Sequence, residues 1–577
     1  MTKPKYQKIL KNSVAEYGAI KKNWHSRKTI ALVYPNTYYT GMSNLGFQTV
    51  YNLFNGFENV VCERVFLPAV ATKDTRQFCS VESARRLAEF DLIAFSISFE
   101  NDYINILEII NKSQLPLTAS ERDDTCPIII AGGVTCFINP EPIALFFDAF
   151  LIGEAEEMIP SLMEIIDDLT DATIGRKKRL LQLAQKVPGA YVPAFYEPHY
   201  CENGILSDFE PIEDVPTKIK ALHTADLSLY SSCSTILTAD TTFDNTFLIE
   251  VSRGCPHGCR FCSAGYIYRP PRFRSFSQLE RDIRMGKQQT NRIGLVGAAV
   301  SDLPNIEKLC TGEVAQGLQV GFSSLRADAL SDELINALKN SDIKTATIAP
   351  DAGSERLRAV INKGLDENEI LSATTALVQN NIPNLKLYFM IGLPTETAED
   401  VDAIISLCKK IKDAFLYASR PKGRMGEITV SINCFVPKPF TPFQWATMDN
   451  TKHLKQKIKR IKQALGKVAN IRVHADAPRW GFIQAILSRG DRRVSQLLMT
   501  ADKNSGNWSQ TLKNTSIDPL LYIQRRRLET ELFPWDFIDH GINKTFLWKE
   551  YQRALIAQKS PPCPIDRKKC RRCGVCG

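Results

Sequence analysis

Short apolar runs alternate with stretches of helical spacing along most of this chain, and the series starts twice. The first series begins with TIALVYP at residues 29–35 and continues with apolar runs at residues 60–66, 91–99 and 127–133. Apolar strands that alternate with helices form parallel sheets whose two faces are covered by helices. Residues 1–205 are therefore predicted to form a doubly wound α/β domain around a parallel sheet.

The loops after these strands are the predicted binding edge of the first domain. Ligands of open parallel sheets bind beyond the carboxyl ends of the strands. In this sequence those ends are small and polar, because the first strand leads into NTYYTG, the third into SIS and the fourth into GGVT. The residues predicted to bind a cofactor there are Asn36, Tyr38, Gly41, Ser96, Ser98, Gly132 and Gly133.

The second series follows a linker at residues 206–243 that is rich in Thr, Ser and Asp. Six strand–helix repeats run from TFLIEVSRGC to the apolar run that ends at Trp445. Repeats of this kind curl into (β/α) barrels, so residues 244–450 are predicted to form a partial (β/α)6 barrel. Because the chemistry of such barrels takes place at the C-terminal ends of the strands, the loops after these strands are expected to hold the active site.

Three cysteines, Cys255, Cys259 and Cys262, follow the first strand of the second series directly. They lie within eight residues and are surrounded by glycines. Three thiolates can bind a metal centre, but four ligands are usual for a closed site, so the spacing leaves the occupant of the fourth position open. The alternative is a structural zinc site with a further ligand such as His257.

Four more cysteines, Cys563, Cys570, Cys573 and Cys576, form a CxxxxxxCxxCxxC motif in a tail at residues 561–577. Four thiolates close a site, so a second 4Fe–4S cluster and a structural zinc ion are both chemically reasonable. The chain has sixteen cysteines, and its N-terminal residues lack the apolar core of a secretion signal. Clustered cysteines in a cytoplasmic protein, which is the predicted location, indicate metal ligation.

Basic residues are concentrated in residues 451–560, a region that is predicted to be mostly helical. The net charge of the chain is +9, and residues 452–472 hold eight Lys and Arg and no acid. Apolar residues at helical spacing in this window predict an amphipathic helix with a basic outer face. This face is either simply solvated or contacts RNA or another polyanion.

Two further expectations concern surfaces. The turn SRGDRR at residues 488–493 is expected either to face the barrel mouth or to be an exposed charged turn. No apolar run approaches the roughly 20 residues that cross a bilayer, so no membrane partner is expected.

The cysteine loop resembles the signature of radical S-adenosylmethionine (SAM) enzymes, in which C-x3-C-x2-C follows a strand. The resemblance implies a catalytic 4Fe–4S cluster held by these three cysteines, with the fourth iron open to SAM and a 5′-deoxyadenosyl radical formed by its cleavage. The family's SAM contacts carry over to Phe261 beside the adenine, to Asp351, Ser354 and Arg356 after the fourth strand, and to Ile391, Gly392 and Pro394 after the fifth.

One segment departs from the family pattern. Many radical SAM enzymes carry a Gly-Gly-Glu run after the second strand, which grips the amine of the methionine. Here the sequence reads GAAVSD, so Gly297 and Ala298 keep the small residues but no Glu follows directly. Ser301 or Asp302 is the expected substitute.

The first domain resembles the cobalamin-binding domain that precedes the barrel in some radical SAM proteins. The first loop of that domain usually reads Asp-x-His-x-x-Gly, with the His as lower cobalt ligand, whereas Asn36, Tyr38 and Gly41 stand at these positions here. Tyr is a poor ligand for low-valent cobalt, so a bound cobalamin would lack the usual imidazole. The alternative is a domain that has kept the fold without the cofactor.

These resemblances imply an enzyme that modifies an unactivated carbon through a deoxyadenosyl radical, with cobalamin-dependent methylation as the favoured reaction. Two alternatives stay open, namely sulfur insertion of the methylthiotransferase kind and a non-catalytic iron–sulfur protein that binds RNA or transfers electrons. The expected partners are a reductant such as flavodoxin or ferredoxin and an RNA or ribosomal substrate.

Overall fold

The first series of predicted strands forms one sheet in the computed structural model, which describes residues 15–69, 78–312, 316–322, 325–423, 425–564 and 570–576. The six strands are β1 (Lys28–Thr37), β2 (Val60–Leu67), β3 (Leu92–Ser96), β4 (Ile128–Gly132), β5 (Ala149–Leu151) and β6 (Ala190–Tyr191). Their order is β2-β1-β3-β4-β5-β6, with β1 to β5 parallel and β6 antiparallel to β5. The predicted parallel sheet is therefore confirmed, with one antiparallel edge strand added.

Burial on both faces explains why these strands are continuously apolar. Ile30, Leu32 and Ile93 are almost inaccessible to solvent, as expected for parallel strands covered by helices. The crossovers from β1 to β2 and from β3 to β4 lead in opposite directions, so right-handed connections place their helices on opposite faces. The helices of this domain are α1 (Tyr38–Met42), α2 (Leu45–Asn55), α3 (Tyr103–Lys112), α4 (Val134–Ile138), α5 (Ala155–Glu164), α6 (Ile166–Thr170) and α7 (Arg176–Lys186).

Short strands connect the first sheet to the second series. An antiparallel ribbon pairs β7 (Tyr196–Tyr200) with β8 (Leu206–Pro211), and β9 (Ile219–Lys220) pairs in parallel with a strand at Ile538–Asp539 near the C-terminal end. The region predicted as a linker therefore contains two strands, β8 and β9, and each pairs with a strand from outside that region.

The second series contains seven parallel strands in two sheets. In chain order the strands of this part are β10 (Phe247–Glu250), β11 (Ser252–Arg253), β12 (Arg272–Phe273), β13 (Arg292–Val296), β14 (Gln319–Phe322), β15 (Thr345–Asp351), β16 (Asn384–Ile391), β17 (Ile428–Cys434), β18 (Ile471–Ala475) and β19 (Ile538–Asp539). The two sheets have the orders β10-β13-β14 and β15-β16-β17-β18, and no strand pairing within the described residues joins them. The strands of the predicted partial barrel are confirmed, and β18 is an additional strand inside the region predicted to be helical.

The helices of the second half cover these sheets and the C-terminal region. The predicted basic helix is α15 (Thr451–Leu465), which buries Leu454, Ile461 and Leu465. None of the helices in the described ranges combines the length and apolarity that crossing a bilayer requires. The helices are α8 (Ala264–Ile267), α9 (Phe276–Lys287), α10 (Ile306–Thr311), α11 (Asp332–Asn340), α12 (Glu355–Val360), α13 (Glu367–Gln379), α14 (Ala398–Ser419), α15 (Thr451–Leu465), α16 (Pro478–Arg489), α17 (Val494–Lys503), α18 (Trp508–Asn514), α19 (Leu520–Ile523) and α20 (Lys544–Leu555).

The arginine-rich turn at residues 488–493 fastens the C-terminal region to the rest of the protein. Arg489 is fully buried and donates hydrogen bonds to the Gln444 and Ala446 carbonyl oxygens at 3.1 and 2.9 Å. Arg492 pairs with the buried Glu141 of the first domain. The alternative of an exposed charged turn is therefore wrong, because Arg489 and Arg492 are satisfied by buried acceptors, whereas a position at the barrel mouth stays a prediction.

A buried carboxylate joins the first domain to the strand that carries the cysteines. Glu154 follows β5 and accepts hydrogen bonds from Arg253 at 2.8 Å and from Arg272 at 2.6 Å. Arg253 stands two residues before Cys255 and also pairs with Glu156. Burial raises the pKa of Glu154, but the guanidinium groups around it hold this pKa well below its usual range. The carboxylate is therefore charged at neutral pH.

Replacing Glu154 by Gln should lower the free energy of unfolding by about 3 kcal/mol, because Arg253 and Arg272 lose a buried counter-charge. The measurement is urea denaturation at neutral pH. The matched control is Glu164→Gln at the exposed last residue of α5, the helix that follows Glu154, which should change stability by less than about 0.5 kcal/mol. Equal stability of the two variants would contradict the role assigned to Glu154.

Candidate cluster site and adjoining cavities

The three cysteines of the cysteine loop (residues 255–262) lie beyond the carboxyl end of β10. The turn into the loop requires Gly254, whose φ is +78° and where an added Cβ would lie 2.5 Å from the Tyr268 carbonyl oxygen. Inside the loop, the Cys262 N–H donates to the Cys259 carbonyl oxygen at 3.1 Å. Two further backbone N–H groups, from the start of α8, donate to the Cys262 sulfur. Such donors stabilise a metal-bound thiolate.

The three sulfurs share one buried environment. Cys255 interacts electrostatically with both Cys259 and Cys262. Burial raises the pKa of Cys255 to about 12 and that of Cys259 to about 11, so metal binding must displace the protons of these thiols. Within the described residues, no three His, Cys, Asp or Glu side chains converge as the ligands of a single ion do. The alternative zinc ligand, His257, has its ring Nε2 2.8 Å from the Asp302 Oδ1.

Two cations, Lys363 after α12 and Arg326 after β14, act on these sulfurs. Lys363 donates to the Asp351 carboxylate at 2.6 Å, and Asp351 ends β15 with a φ of +62°. The charges of Lys363 and Arg326 both act on Cys259. Positive charge at this position offsets the negative charge of thiolates and of any cluster that they bind.

On the other side of the loop, Asp302 is placed to receive a cationic ligand. Its Oδ1 lies 2.8 Å from the His257 ring Nε2, while its Oδ2 is buried without a hydrogen-bond partner in the described structure. Ser301, the other expected substitute for the missing Glu, accepts a hydrogen bond from the Arg326 N–H at 3.3 Å. Asp302 is therefore the better candidate of the two.

Arg260, between the second and third cysteines, holds the C-terminal segment against the cysteine loop. It is fully buried, and its Nη2 donates to the Gln558 carbonyl oxygen at 2.7 Å and to the Ser560 Oγ at 3.0 Å. It also pairs with Glu550 of α20 at 3.1 Å. The sequence analysis did not single out Arg260, since only its position inside a small, glycine-rich loop distinguishes it from a surface arginine.

The residues expected to contact SAM from the fourth strand are tied to the loop of the fifth. Ser354 caps α12 by accepting the Leu357 N–H at 3.0 Å, and it also bonds to Asp400. Arg356 pairs with the same Asp400 and donates to the Thr395 carbonyl oxygen at 2.8 Å. Both side chains thus have structural partners, and their contact with SAM stays a prediction.

The expected adenine segment has similar backbone constraints. The Ile391 carbonyl oxygen accepts the Phe435 N–H at 2.9 Å, and the Gly392 N–H donates to Glu396 at 2.9 Å. Gly392 and Pro394 line a cavity of about 590 Å³ against α15, and none of the three cysteines of the loop lines it. Phe261 of the cysteine loop packs in one apolar cluster with Leu393 and Ala352, between the two segments.

A second cavity, the interdomain cavity, has a volume of about 580 Å³ and lies between the binding edge of the first sheet and the second half of the chain. The Gly133 turn in its wall requires glycine, because its φ is +104° and an added Cβ would lie 2.4 Å from the Ile97 carbonyl oxygen. Six predicted residues come together in its lining: Ser96, Ser98, Gly132, Gly133, Gly297 and Ala298.

The first predicted loop does not reach the interdomain cavity. The lining residues from this part of the chain are instead residues 43–46, which follow α1, and there is no histidine among the described residues of the lining. The three predicted residues have structural partners: Asn36 donates to Asp102 at 2.8 Å, Tyr38 donates to Glu16, and an added Cβ at Gly41 would lie 2.4 Å from the Phe66 ring.

The four cysteines of the tail line a third cavity, of about 310 Å³. This tail cavity adjoins the cysteine loop, since Gly258 and Tyr266 also contribute to its wall. The grouping of these four cysteines expected from their spacing is therefore present.

Known families match both halves of the chain. Residues 46–193 match the family described as "Radical SAM proteins, N-terminal", and residues 249–408 match the "Radical SAM superfamily". An uncharacterized protein of Methanocaldococcus jannaschii (MJ0966) is 32% identical over 498 residues, which cover 86% of this chain and 96% of that protein. The chain belongs to the radical SAM superfamily. Membership of the radical SAM superfamily implies a 4Fe–4S cluster and SAM as cofactors.

Two more distant similarities are to enzymes with other names. The tRNA-2-methylthio-N(6)-dimethylallyladenosine synthase of Acetivibrio thermocellus is 25% identical over 190 residues, covering 30% of this chain and 39% of that enzyme. The solved structure of the radical SAM methyltransferase TsrM from Kitasatospora setae, with cobalamin and a [4Fe-4S] cluster bound, is 12% identical. It has a TM-score of 0.47 and covers 72% of this chain and 74% of that chain.

The residues of the cysteine loop fit the cofactors of the radical SAM superfamily. One buried and two partly buried cysteines, backbone N–H groups near one sulfur and the nearby cations Lys363 and Arg326 suit a thiolate-bound cluster. The unpartnered Asp302 Oδ2 suits the ammonium group of SAM.

Replacing Arg260 by Gln should release the C-terminal segment, because Glu550 then becomes a buried carboxylate without its main counter-charge. Limited proteolysis should cut residues 550–562 at least tenfold faster, and the free energy of unfolding should fall by about 3 kcal/mol. The control is Arg553→Gln, which removes a half-exposed partner of the same Glu550 and should leave the proteolysis rate within twofold. Similar proteolysis rates for both variants would contradict the role of Arg260 in holding the C-terminal segment against the cysteine loop.

Proposed function

We propose that this radical SAM protein methylates an unactivated carbon atom and uses cobalamin bound in the interdomain cavity. One observation carries the proposal: a single cavity is lined both by the binding edge of a doubly wound sheet and by residues next to the cysteine loop. Open parallel sheets bind ligands at this edge, and a cofactor bound there would adjoin the chemistry of the second half.

The lining of the interdomain cavity suits a large, mostly apolar ring. Gly132 and Gly133 allow close approach of backbone to the ring, while the Ser96 and Ser98 hydroxyls are available for its polar edge. Cobalamin would supply a carrier for the methyl group. The described lining of the cavity offers no histidine as a ligand for the cobalt.

Around the cysteine loop, the protein's task is to hold and orient SAM. The cluster and SAM together supply a 5′-deoxyadenosyl radical. The Asp302 Oδ2 would accept hydrogen bonds from the methionine ammonium group, and Lys363 is placed to offset negative charge beside Cys259. Phe261 would contribute an apolar surface for the adenine.

An RNA substrate is supported by two independent observations. The outer face of α15 exposes lysines such as Lys452, Lys455 and Lys459, and one relative acts, by its name, on tRNA. Sulfur insertion is less favoured, because the tail cavity, which holds the additional cysteines, shares no lining residue with the interdomain cavity.

Anaerobically reconstituted protein should release 5′-deoxyadenosine from SAM in the presence of dithionite. Asp302→Asn should raise the SAM concentration needed for half-maximal release at least tenfold, because a neutral amide binds an ammonium group more weakly than a carboxylate does. The measurement is chromatography of the product over a range of SAM concentrations.

Cys255→Ala is the matched negative control and should release no 5′-deoxyadenosine above background. Release by the wild type that Cys255→Ala does not reduce would contradict the assignment of the cluster site. An unchanged SAM dependence in Asp302→Asn would contradict only the role of Asp302.

Replacing Gly132 by Leu should abolish cobalamin binding while keeping the fold. An added Cβ at Gly132 meets nothing nearer than 3.7 Å, so the larger side chain extends into the interdomain cavity. Corrinoid absorbance retained after gel filtration should fall at least tenfold, with 5′-deoxyadenosine release within twofold of the wild type. The control is Gly175→Leu, at an open position outside this cavity. Absence of corrinoid from the wild type would refute the cobalamin proposal.

A further inference from the structure

Hydrogen bonds and close backbone contacts hold the segments whose cysteines line the tail cavity. Cys573 is 5% exposed, and its carbonyl oxygen accepts the Asn543 N–H at 2.9 Å. The next residue, Gly574, has a φ of +95° and lies so close to Asn543 that an added Cβ would be 2.7 Å from its Nδ2. Arg572 donates to the Pro562 carbonyl oxygen at 2.9 Å. These contacts fix the backbone that carries the cysteines.

Positive charge surrounds the four sulfurs. The buried Arg269 contacts the Cys573 thiol, and its charge also acts on Cys563. Lys549 and Arg553 of α20 line the same cavity. The acidic residue in the lining, Glu550, is already paired with Arg260. A surplus of cations stabilises thiolates and a metal centre whose net charge is negative.

The shape of the site favours a cluster over a single ion. A structural zinc ion requires four sulfurs at about 2.3 Å from one point. The four cysteines instead surround a cavity of about 310 Å³. An iron–sulfur cluster is bound by four cysteine thiolates that surround its core of iron and sulfide ions.

The tail cavity is directly connected to the cysteine loop. The Cys563 N–H donates to the carbonyl oxygen of Pro256, the residue after Cys255, at 2.8 Å. A second link runs through Asn362, which donates to the Gly258 carbonyl oxygen at 3.1 Å and accepts the Ser560 N–H at 2.8 Å. The segments that carry the two sets of cysteines are therefore joined by direct hydrogen bonds.

We propose that the tail cavity holds an iron–sulfur cluster that passes electrons to the cluster site of the cysteine loop. One electron enters from a reduced flavodoxin- or ferredoxin-class protein, which is thereby oxidised, and reduces the tail site. The same electron then moves to the site of Cys255, Cys259 and Cys262, so the tail site returns to its oxidised form. There the electron is consumed in breaking the sulfur–C5′ bond of SAM, which yields methionine and the deoxyadenosyl radical. The exposed Arg571 and Arg572 give an acidic redox protein a complementary surface.

The first test measures metal content and needs no activity. Anaerobically reconstituted wild type should contain twice the iron of Cys570→Ser/Cys573→Ser, and twice the iron of Cys255→Ala/Cys259→Ala/Cys262→Ala. Each variant should keep one reduced-cluster EPR signal, and only the signal of the tail variant should change when SAM is added. Cys201→Ser, an exposed cysteine outside both cavities, is the control and should match the wild type.

Zinc lost from the tail variant without loss of iron, or unchanged metal content, would overturn the cluster in the tail. Thermal melting of each variant checks folding, and Cys576→Ser, at the last ligand, is the milder second variant. Iron loss in that variant, with its melting temperature within a few degrees of the wild type, supports ligation. Full iron in that variant opposes it.

The second test separates the electron path from the cluster itself, and this part alone rests on the proposed SAM chemistry. With dithionite, the tail variant should release 5′-deoxyadenosine within twofold of the wild type. With reduced flavodoxin as the electron donor, its rate should be at least tenfold lower. Equal rates with both reductants would overturn the relay, whereas no release by the wild type with either reductant would refute the proposed function instead.

Discussion

The buried carboxylate of Glu154 determines how the two halves of this molecule meet. Arg253 and Arg272, one on each side of the cysteine loop, both donate to it. The wall of the interdomain cavity and the entry to the cysteine loop therefore depend on one network of charges. Such a network is stable only as a complete set, because the loss of one partner leaves a charge without compensation in a medium of low dielectric constant. The relative position of cavity and cluster site is set by this requirement.

The strands and the cysteine loop could be predicted because their physical signals are local. Parallel strands covered on both faces are continuously apolar, and the runs that form β1, β3 and β4 stand out for this reason. The spacing of Cys255, Cys259 and Cys262 is equally visible along the chain. The strand β18 was missed because IRVHA alternates between buried and exposed residues and lies within a basic region.

The interactions that complete the site could not be predicted in this way. Buried arginines cannot be told from surface arginines along the sequence. The free-energy cost of burying Arg260, Arg489 and Arg492 is offset only by acceptors from distant segments. The loop after β1 is a second case in which the sequence alone did not predict the lining of the cavity. Tyr38 stands at the family's cofactor position in the motif, but it lies in the helix α1. Residues 43–46, which follow this helix, line the cavity instead of Tyr38.

The contacts between Arg260 and the C-terminal segment have a consequence for the synthesis of the protein. Arg260 and Ser560 are separated by 300 residues. At roughly 5–20 residues per second, a ribosome needs roughly 15–60 s to travel from one to the other. During that interval the cysteine loop stands on the growing polypeptide without the segment that contacts Arg260 and the Pro256 carbonyl oxygen in the complete protein. Once residues 558–563 are in place, this segment closes one side of the loop, so translation itself sets a period in which the first cofactor can approach from that side.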